Sequence, residues 1–306
     1  MNKASKPSKD TAKETVFHFE AIGTMWDIKI QEVFNLVDMQ SLEAKIRERI
    51  EQFDKDYSRF RSDSYVTTIA NDIGEHQLPV DAQPLMDLYE QLYTVTDGRM
   101  SPLVGHLLED AGYDANYSLI PKEFRNEEKW EETIEYAYPT ITIKNPTLLD
   151  FGAAGKGYLV DLIGTLLLEN HVYEFIINAG GDILHHSKSN SSITVGLENP
   201  EQTDQVIGVA NIVNKSICGS AGNRRAWGEF NHIIDPTTQR PSTELKAVWV
   251  IANSALLADG LTTALYFKDG PTLQQSFDFE YAILKKDSSL EYSNKFPAEF
   301  FQKDRE

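Results

Sequence analysis

Residues 148–158 read LLDFGAAGKGY, a glycine-rich turn that leads into a mainly apolar segment at residues 159–168. Apolar residues over this length predict a buried helix, and glycine on both sides of a lysine places a turn at its start. A second apolar run at residues 175–178 predicts a buried strand that ends in the turn Ala179-Gly180-Gly181-Asp182. The middle of the chain is therefore expected to supply a helix and a strand of the core together with two glycine-rich turns.

Helical and strand patterns are also present on both sides of this stretch. Residues 113–140 are charged and irregular, and we expect them to form a surface excursion. The strands cluster without strict strand–helix alternation, so the predicted fold class is α+β rather than a doubly wound parallel sheet. The remaining predicted elements are strands at residues 16–19, 26–30, 141–143, 193–197, 206–213, 247–252 and 281–284, and helices at residues 42–53, 83–95 and 254–267.

The composition limits the kinds of partner. The chain has 306 residues, is 41% hydrophobic, and carries 29 Lys and Arg against 47 Asp and Glu, a net charge of -18. A nucleic-acid binder needs a basic face to displace phosphate counterions, so we expect no nucleic-acid partner. An anionic ligand would need a local cation, from a metal ion or from one placed lysine.

The cysteine count and the first residues of the sequence bear on the cellular compartment that we expect for the protein. One cysteine, Cys218, excludes an intrachain disulfide and a multi-cysteine zinc site. No apolar run approaches the roughly 18 to 20 residues of a membrane span. Residues 1–15 are polar and lysine-rich, and we expect a disordered tail there, followed by a single domain at residues 16–300. Without a signal peptide the expected location is cytoplasmic; a trimmed sequence would correspond to a periplasmic or lipid-anchored protein.

Lys156 lies in a turn that resembles a phosphate loop but does not match one. A Walker A loop has Gly five residues before its final Gly and Ser or Thr after the lysine, whereas this chain has Asp150 and Gly157 there. The dinucleotide fingerprint fails because Val160 stands at its third glycine. Two interpretations stay open: a phosphate site at a helix N-terminus, and a plain helix-entry turn.

Asp259, Thr263 and His232 are polar residues with two interpretations each. Asp259 and Thr263 are four residues apart in a predicted helix, so their oxygens lie on one face. They form either an ordinary surface or capped pair, which the motif alone favours, or a hard-cation site completed by backbone carbonyls. His232, at the end of a strand, is either structural or a general acid or base.

Taken together and in this order, the motifs resemble those of the FAD:protein FMN transferases, the ApbE family, from about Gly23 to Phe267. Seven ordered blocks are more specific than any one of them. The blocks are Ile22-Gly23-Thr24, Tyr57-Ser58-Arg59-Phe60 with Asp63-Ser64, and residues 96–105, 150–158, 178–182, 232–236 and 258–263.

The resemblance implies an α+β fold of two related subdomains around one FAD cleft. It implies a Mg²⁺ ion and FAD as substrate, with the FMN half passing to a Ser or Thr hydroxyl of an acceptor flavoprotein and AMP leaving. The implied residues are Asp259, Thr263 and the backbone of Ala153 and Leu256 for the metal; Ile22, Phe60, Arg99, Met100, Ser101, Asp150, Lys156 and Ile234 for FAD; and Asp259, Lys156 and His232 for catalysis, with Asp150 as another candidate base.

The chain departs from the family pattern in places. Arg99-Met100-Ser101 stands where Ala-Phe-Asp is common, which removes a carboxylate, and Gly219-Ser220-Ala221 and Gln239 replace other typical residues. Two rival functions stay open at this point: an FAD pyrophosphatase that uses water, and a non-catalytic flavin-binding protein.

Overall fold

The computed structural model describes residues 13–32 and 38–301. Of the predicted tail at residues 1–15, residues 1–12 lie outside these ranges, and Lys13, Glu14 and Thr15 belong to the first strand. The domain bounds 16–300 stay a prediction. The helices are α1 (Met39–Tyr57), α2 (Tyr65–Ile69), α3 (Gln83–Val95), α4 (Gly105–Asp110), α5 (Trp130–Thr133), α6 (Gly155–Glu169), α7 (Ala255–Ala264) and α8 (Gly270–Leu273), with a 3₁₀ helix at Pro102–Val104.

The strands form one large sheet and several small ones. They are β1 (Lys13–Ala21), β2 (Thr24–Glu32), β3 (Gly74–Gln77), β4 (Ile134–Ala137), β5 (Thr140–Ile143), β6 (Glu174–Ala179), β7 (Asp182–Ser187), β8 (Ile193–Asn199), β9 (Gln202–Ile212), β10 (Ser216–Ala221), β11 (Ala226–Trp227), β12 (Phe230–Asn231), β13 (Ile234–Asp235), β14 (Arg240–Pro241), β15 (Leu245–Ala252), β16 (Phe279–Lys285), β17 (Leu290–Tyr292) and β18 (Ala298–Phe300).

The large sheet has eight strands in the order β1-β2-β6-β7-β10-β15-β16-β17, and every neighbouring pair is antiparallel. Two three-stranded sheets, β18-β9-β8 and β3-β5-β4, and two short hairpins complete the architecture. An antiparallel sheet with separate helices confirms the predicted α+β class. The division into two related subdomains stays a prediction.

Strand β15 is buried on both faces of the large sheet because its side chains alternate between two cores. Val248 and Val250 pack with the helices, whereas Ala247, Trp249 and Ile251 pack with the sheet β18-β9-β8. This explains why the sequence of β15 reads as a continuous apolar run.

The helical layer covers one face of the large sheet. Helix α1 buries Leu42, Ile46, Ile50 and Phe53, spaced three or four residues apart, as expected for an amphipathic helix. Leu42 and Ile46 are at most 1% exposed, and each such side chain stabilises the fold by about 1.5–3 kcal/mol. Helix α1 packs against α6, α6 against α7, and α7 against β10 and β15.

Helices α6 and α7 approach so closely at Gly157 that a side chain has no room there. A Cβ atom on Gly157 would overlap the carbonyl oxygen of Ala255 and would lie 2.6 Å from Cβ of Asp259. The contact therefore sets the positions of two helix starts that are about a hundred residues apart in the chain.

The prediction of a surface excursion at residues 113–140 is wrong for its last third. Helix α5 and strand β4 lie there, and Trp130, Thr133 and Ile134 are buried. Their burial was hidden in the sequence by neighbouring Glu131, Glu132 and Glu135, which place charge between the apolar positions.

No helix within residues 13–32 and 38–301 is long and apolar enough to cross a bilayer.

We expect Gly157→Ala to lower the free energy of unfolding by at least about 3 kcal/mol, because the new methyl group meets backbone rather than a flexible side chain. Gly155→Ala, in the same helical turn, is the matched control. Its Cβ would lie at ordinary contact distances, 3.5 Å from Cβ of Phe151 and 3.6 Å from Cζ of Phe53, so stability should change by no more than about 1 kcal/mol. Urea unfolding of both variants measures the difference, and equal stabilities would contradict the packing argument.

Candidate active site

A cavity of about 950 Å³ lies against the face of the large sheet away from the helices and reaches the start of α6 and the side of α7. This volume is at the upper end of the range for small-molecule sites. The predicted residues that line it are Phe60, Arg99, Met100, Ser101, Asp150, Ala153, Lys156, His232, Ile234, Asp259 and Thr263.

Two predicted residues are not among those that line the cavity. Ile22 lies in the turn between β1 and β2 with a positive φ of 44° and packs against the core, while the next two residues, Gly23 and Thr24, line the cavity. Leu256 lies in the first turn of α7, its N–H donates to Oδ2 of Asp161 at 2.8 Å, and its side chain also packs against the core. The structure thus does not bring these two residues to the cavity wall.

Asp259 is held by the beginning of helix α6. The N–H of Gly157 donates to Oδ2 of Asp259 at 2.8 Å, and this N–H belongs to the first helical turn, where amides have no partner within the helix. Among the described residues no donor reaches the other oxygen, Oδ1. Burial raises the pKa of Asp259, whereas the charge of Lys156 and the Gly157 N–H oppose that rise. The free oxygen faces a cavity that Thr263 and Ala153 also line.

Three cations in or behind the cavity wall are each paired with a buried carboxylate; Lys156 and Arg99 line the cavity, and Arg59 lies behind Asp150. Lys156 forms an ion pair with Asp182, which is 1% exposed. Arg59 donates from Nε to Asp150, which also accepts the N–H of Gly152 at 2.7 Å. The third pair, Arg99 with Asp235 at 2.8 Å, is completed by a hydrogen bond from Arg99 to the carbonyl of Phe267. Removing either partner of such a pair leaves a buried charge uncompensated, so these pairs fix the cavity wall.

His232 is neutral at neutral pH. Burial lowers its pKa to about 4, and the nearby guanidinium of Arg225 acts in the same direction. Its Nδ1 is buried and has no hydrogen-bond partner among the described residues. A pKa of about 4 makes this imidazole a weaker base than an ordinary histidine, so it stays uncharged at neutral pH.

Aromatic side chains form the wall near Phe60. The ring of Phe60 is parallel to that of Tyr117 within 9° at 5.4 Å and meets Tyr113 edge-on at 5.4 Å. The guanidinium of Arg59 lies 4.2 Å from the Phe60 ring centre. Such a surface suits the flat face of a ring system.

Sequence reasoning missed several residues of the cavity. Arg224 and Arg225 line the cavity from the segment after β10. The sequence feature that could have identified them is the presence of two adjacent arginines in an otherwise acidic chain. Arg224 pairs with Glu198 at 2.8 Å, whereas no ion pair of Arg225 is found in the described part of the chain. The pairing of Asp182 with Lys156 had no sequence signal, because it depends on how distant elements pack.

This fold and this cavity define an α+β protein with one deep, charged ligand cleft. The ApbE family model matches residues 22–280. The chain belongs to the ApbE family, which confirms the resemblance found in the sequence.

Curated relatives and solved structures agree with this assignment. The chain is 24% identical over 265 residues to the FAD:protein FMN transferase of Vibrio cholerae, covering 80% of this chain and 78% of the relative. It is 25% identical over 278 residues to that of Klebsiella pneumoniae, covering 82% and 84%. The ApbE protein of Thermotoga maritima matches the fold with a TM-score of 0.83 at 21% identity, covering 94% of this chain and all of that one. For the flavin transferase ApbE of Vibrio cholerae the TM-score is 0.77 at 20% identity, covering 94% and 99%.

We expect the His232 ring to titrate near pH 4, because burial and Arg225 disfavour its charged form. The unfolded chain takes up this proton near the ordinary value of 6.5, so His232 reduces stability as the pH falls from 6.5 to 4. His232→Gln should remove about 3 kcal/mol of that acid-induced loss. Imidazole NMR titration gives the pKa directly, and urea unfolding at both pH values gives the difference; a ring that titrates near 6.5 would contradict the assignment.

Proposed function

We propose that this protein is an enzyme that transfers the FMN half of FAD to a Ser or Thr hydroxyl of an acceptor protein and releases AMP, with Mg²⁺ as cofactor. The observation that carries the proposal is the arrangement of Asp259, one oxygen held by Gly157 at 2.8 Å and the other open to the cavity. The curated relatives are named FAD:protein FMN transferases, which supports the same activity here.

The residues around Asp259 fit a magnesium ion. Within residues 13–32 and 38–301 no group of three His, Cys, Asp or Glu side chains is arranged to hold a metal. Mg²⁺ does not need such a group when it binds phosphates, since it commonly uses one or two carboxylates and keeps several waters. Asp259 would supply the carboxylate, Thr263 its hydroxyl and Ala153 its carbonyl. When bound, the ion supplies positive charge to the pyrophosphate oxygens.

FAD would lie along the cavity with its pyrophosphate near the start of α6. The helix N-terminus favours an anion there, and Lys156 adds a charge that Asp182 holds in place. Phe60 and Tyr113 both line the cavity and would supply aromatic contacts to a ring of the ligand. These contacts bind and orient FAD before any bond changes.

The transfer breaks the phosphoanhydride bond in the pyrophosphate of FAD and forms a phosphoester bond to the acceptor. The acceptor oxygen bonds to the phosphorus of the FMN half, the bond from that phosphorus to the AMP oxygen breaks, and AMP leaves with both electrons. His232 is our proposed acceptor for the hydroxyl proton, because it is neutral and its Nδ1 lacks a partner among the described residues. Without such a base the hydroxyl would be a weak nucleophile.

Asp259→Asn should weaken Mg²⁺ binding by more than about 100-fold, since even residues that only support a metal ligand account for 10- to 100-fold. Calorimetric titration of Mg²⁺ in the presence of FAD measures the loss, and AMP release should fall in parallel. The matched control is Asp161→Asn, another buried carboxylate, which accepts the N–H groups of Ala255 and Leu256 at 2.8 Å. The Asp161 variant should bind Mg²⁺ within a few-fold of the unaltered protein; equal loss in both would refute the metal assignment.

The function itself is tested with FAD, Mg²⁺ and proteins of a native cell extract. We expect flavin fluorescence that stays on a protein band in a denaturing gel, and AMP in the same molar amount as protein-bound FMN. The Asp259→Asn variant should produce neither. AMP and free FMN released at the same rate without the extract would instead identify a pyrophosphatase that uses water.

A further inference from the structure

Among residues 13–32 and 38–301, strand β8 pairs with β9 alone and is therefore an outer edge of the three-stranded sheet β18-β9-β8. An edge strand carries a row of backbone N–H and C=O groups without strand partners. The regular part of this edge runs from Ile193 to Leu197, and the register with β9 shifts between Leu197 and Glu198.

The unpaired edge of β8 faces the large cavity. Ile193, Thr194, Val195 and Gly196 all line it. Side chains of consecutive strand residues point to opposite faces, so four consecutive residues share a cavity only if their common backbone edge faces it.

The regular part of β8 lacks the features that protect other edges, since the charge of Glu198 lies beyond the register shift and pairs with Arg224. Residues 193–197 contain neither charge nor proline, whereas charges and prolines normally protect an edge from pairing with another chain. The opposite edge of the same sheet, β18, contains Glu299 and follows Pro297. At the ends of the large sheet, β17 is three residues long with Glu291 at its centre, and β1 carries Glu20.

The same cavity connects β8 with the proposed reaction centre. Asp259 and Thr263 line one part of it and β8 another. The turn residues Gly180 and Gly181 and the strand residue Gly219 also line this cavity, and they have no side chains to fill it. A Cβ on Gly181 would meet no atom within 4 Å, so the wall at this turn is open.

We propose that β8 is the docking site of the acceptor protein, whose target segment adds to this edge as an extended strand. The proposal rests on the transferase function proposed above and specifies how its second substrate binds. Backbone hydrogen bonds to β8 would hold the segment, as in other cases of strand addition.

An extended segment fits the chemistry of the transfer. It is the narrowest form of a polypeptide, so it enters a cavity that also holds FAD. Its side chains alternate, so a Ser or Thr at one position projects toward the FAD phosphorus while its neighbours project away. Backbone pairing with β8 would supply affinity, and the cavity residues beside β8 would contact alternate side chains of the segment.

A synthetic heptapeptide library with Ser or Thr at the centre tests the proposal on the unaltered protein with FAD and Mg²⁺. Mass spectrometry identifies peptides that gain FMN, and the best one is then remade with single N-methyl groups at each position. Only alternate N–H groups of an added strand point to its partner. N-methylation should therefore raise the KM for the peptide about 5- to 10-fold at every second residue and leave the residues between nearly unchanged.

Amide hydrogen exchange provides the matching measurement on the protein. With the labelled peptide bound, alternate amides within Ile193–Leu197 should exchange more slowly, while those of β18 keep their rates.

Each outcome decides between the two proposals. Strand addition is refuted if the KM for the N-methylated peptides does not alternate from residue to residue, or if the amide exchange rates of β8 do not change. The transferase function stands in either case. Labelling of an extract protein but of no peptide has the same meaning, because a folded surface would then be required. If neither a peptide nor an extract protein gains FMN, the transferase function fails and strand addition fails with it.

Discussion

Helix α6 can approach helix α7 only because residue 157 has no side chain, and the cleft is built on that approach. The N–H of Gly157 then reaches the Asp259 carboxylate at 2.8 Å. The same contact places Lys156 and Ala153 beside a helix that comes a hundred residues later. Since a helix start carries partial positive charge, it stabilises the carboxylate that burial would otherwise neutralise. The close packing of α6 on α7 and the stabilisation of the Asp259 carboxylate thus depend on the same contact. A larger distance between the two helices would separate Ala153, Lys156 and Gly157 from Asp259.

The charges of the cleft are arranged in pairs, which explains how an acidic protein can present cations to an anionic ligand. Asp182, Asp150 and Asp235 each hold one cation in a fixed orientation. A paired lysine or arginine has less freedom to lose when a ligand binds, but part of its charge is already compensated. Arg225 lines the cleft and forms no ion pair among the described residues, and its charge favours the ionised form of the Asp259 carboxylate.

Local patterns in the sequence predicted much of the fold, whereas contacts between distant elements could not be read from it. The i to i+4 spacing of Asp259 and Thr263 placed both on one helix face, and the apolar run of β15 predicted a strand buried on two sides. Leu256, which the family resemblance implied as a backbone ligand, is not among the residues that line the cavity, and its role stays a prediction. The partners of Lys156 and Asp150 depend on strand order and helix packing, which no local pattern records.

The strand order also determines when the cleft exists during synthesis. Strands β1, β2, β6 and β7 leave the ribosome first and are consecutive neighbours in the sheet, but β15 fills the centre of the other half and α7 follows it. Until α7 emerges, Gly157 has nothing to pack against and the helix-facing side of the sheet is incomplete. Late, long-range pairing of this kind leaves apolar surface exposed to aggregation. Because Asp259 and Thr263 belong to α7, the cleft cannot be complete before this helix has been synthesised.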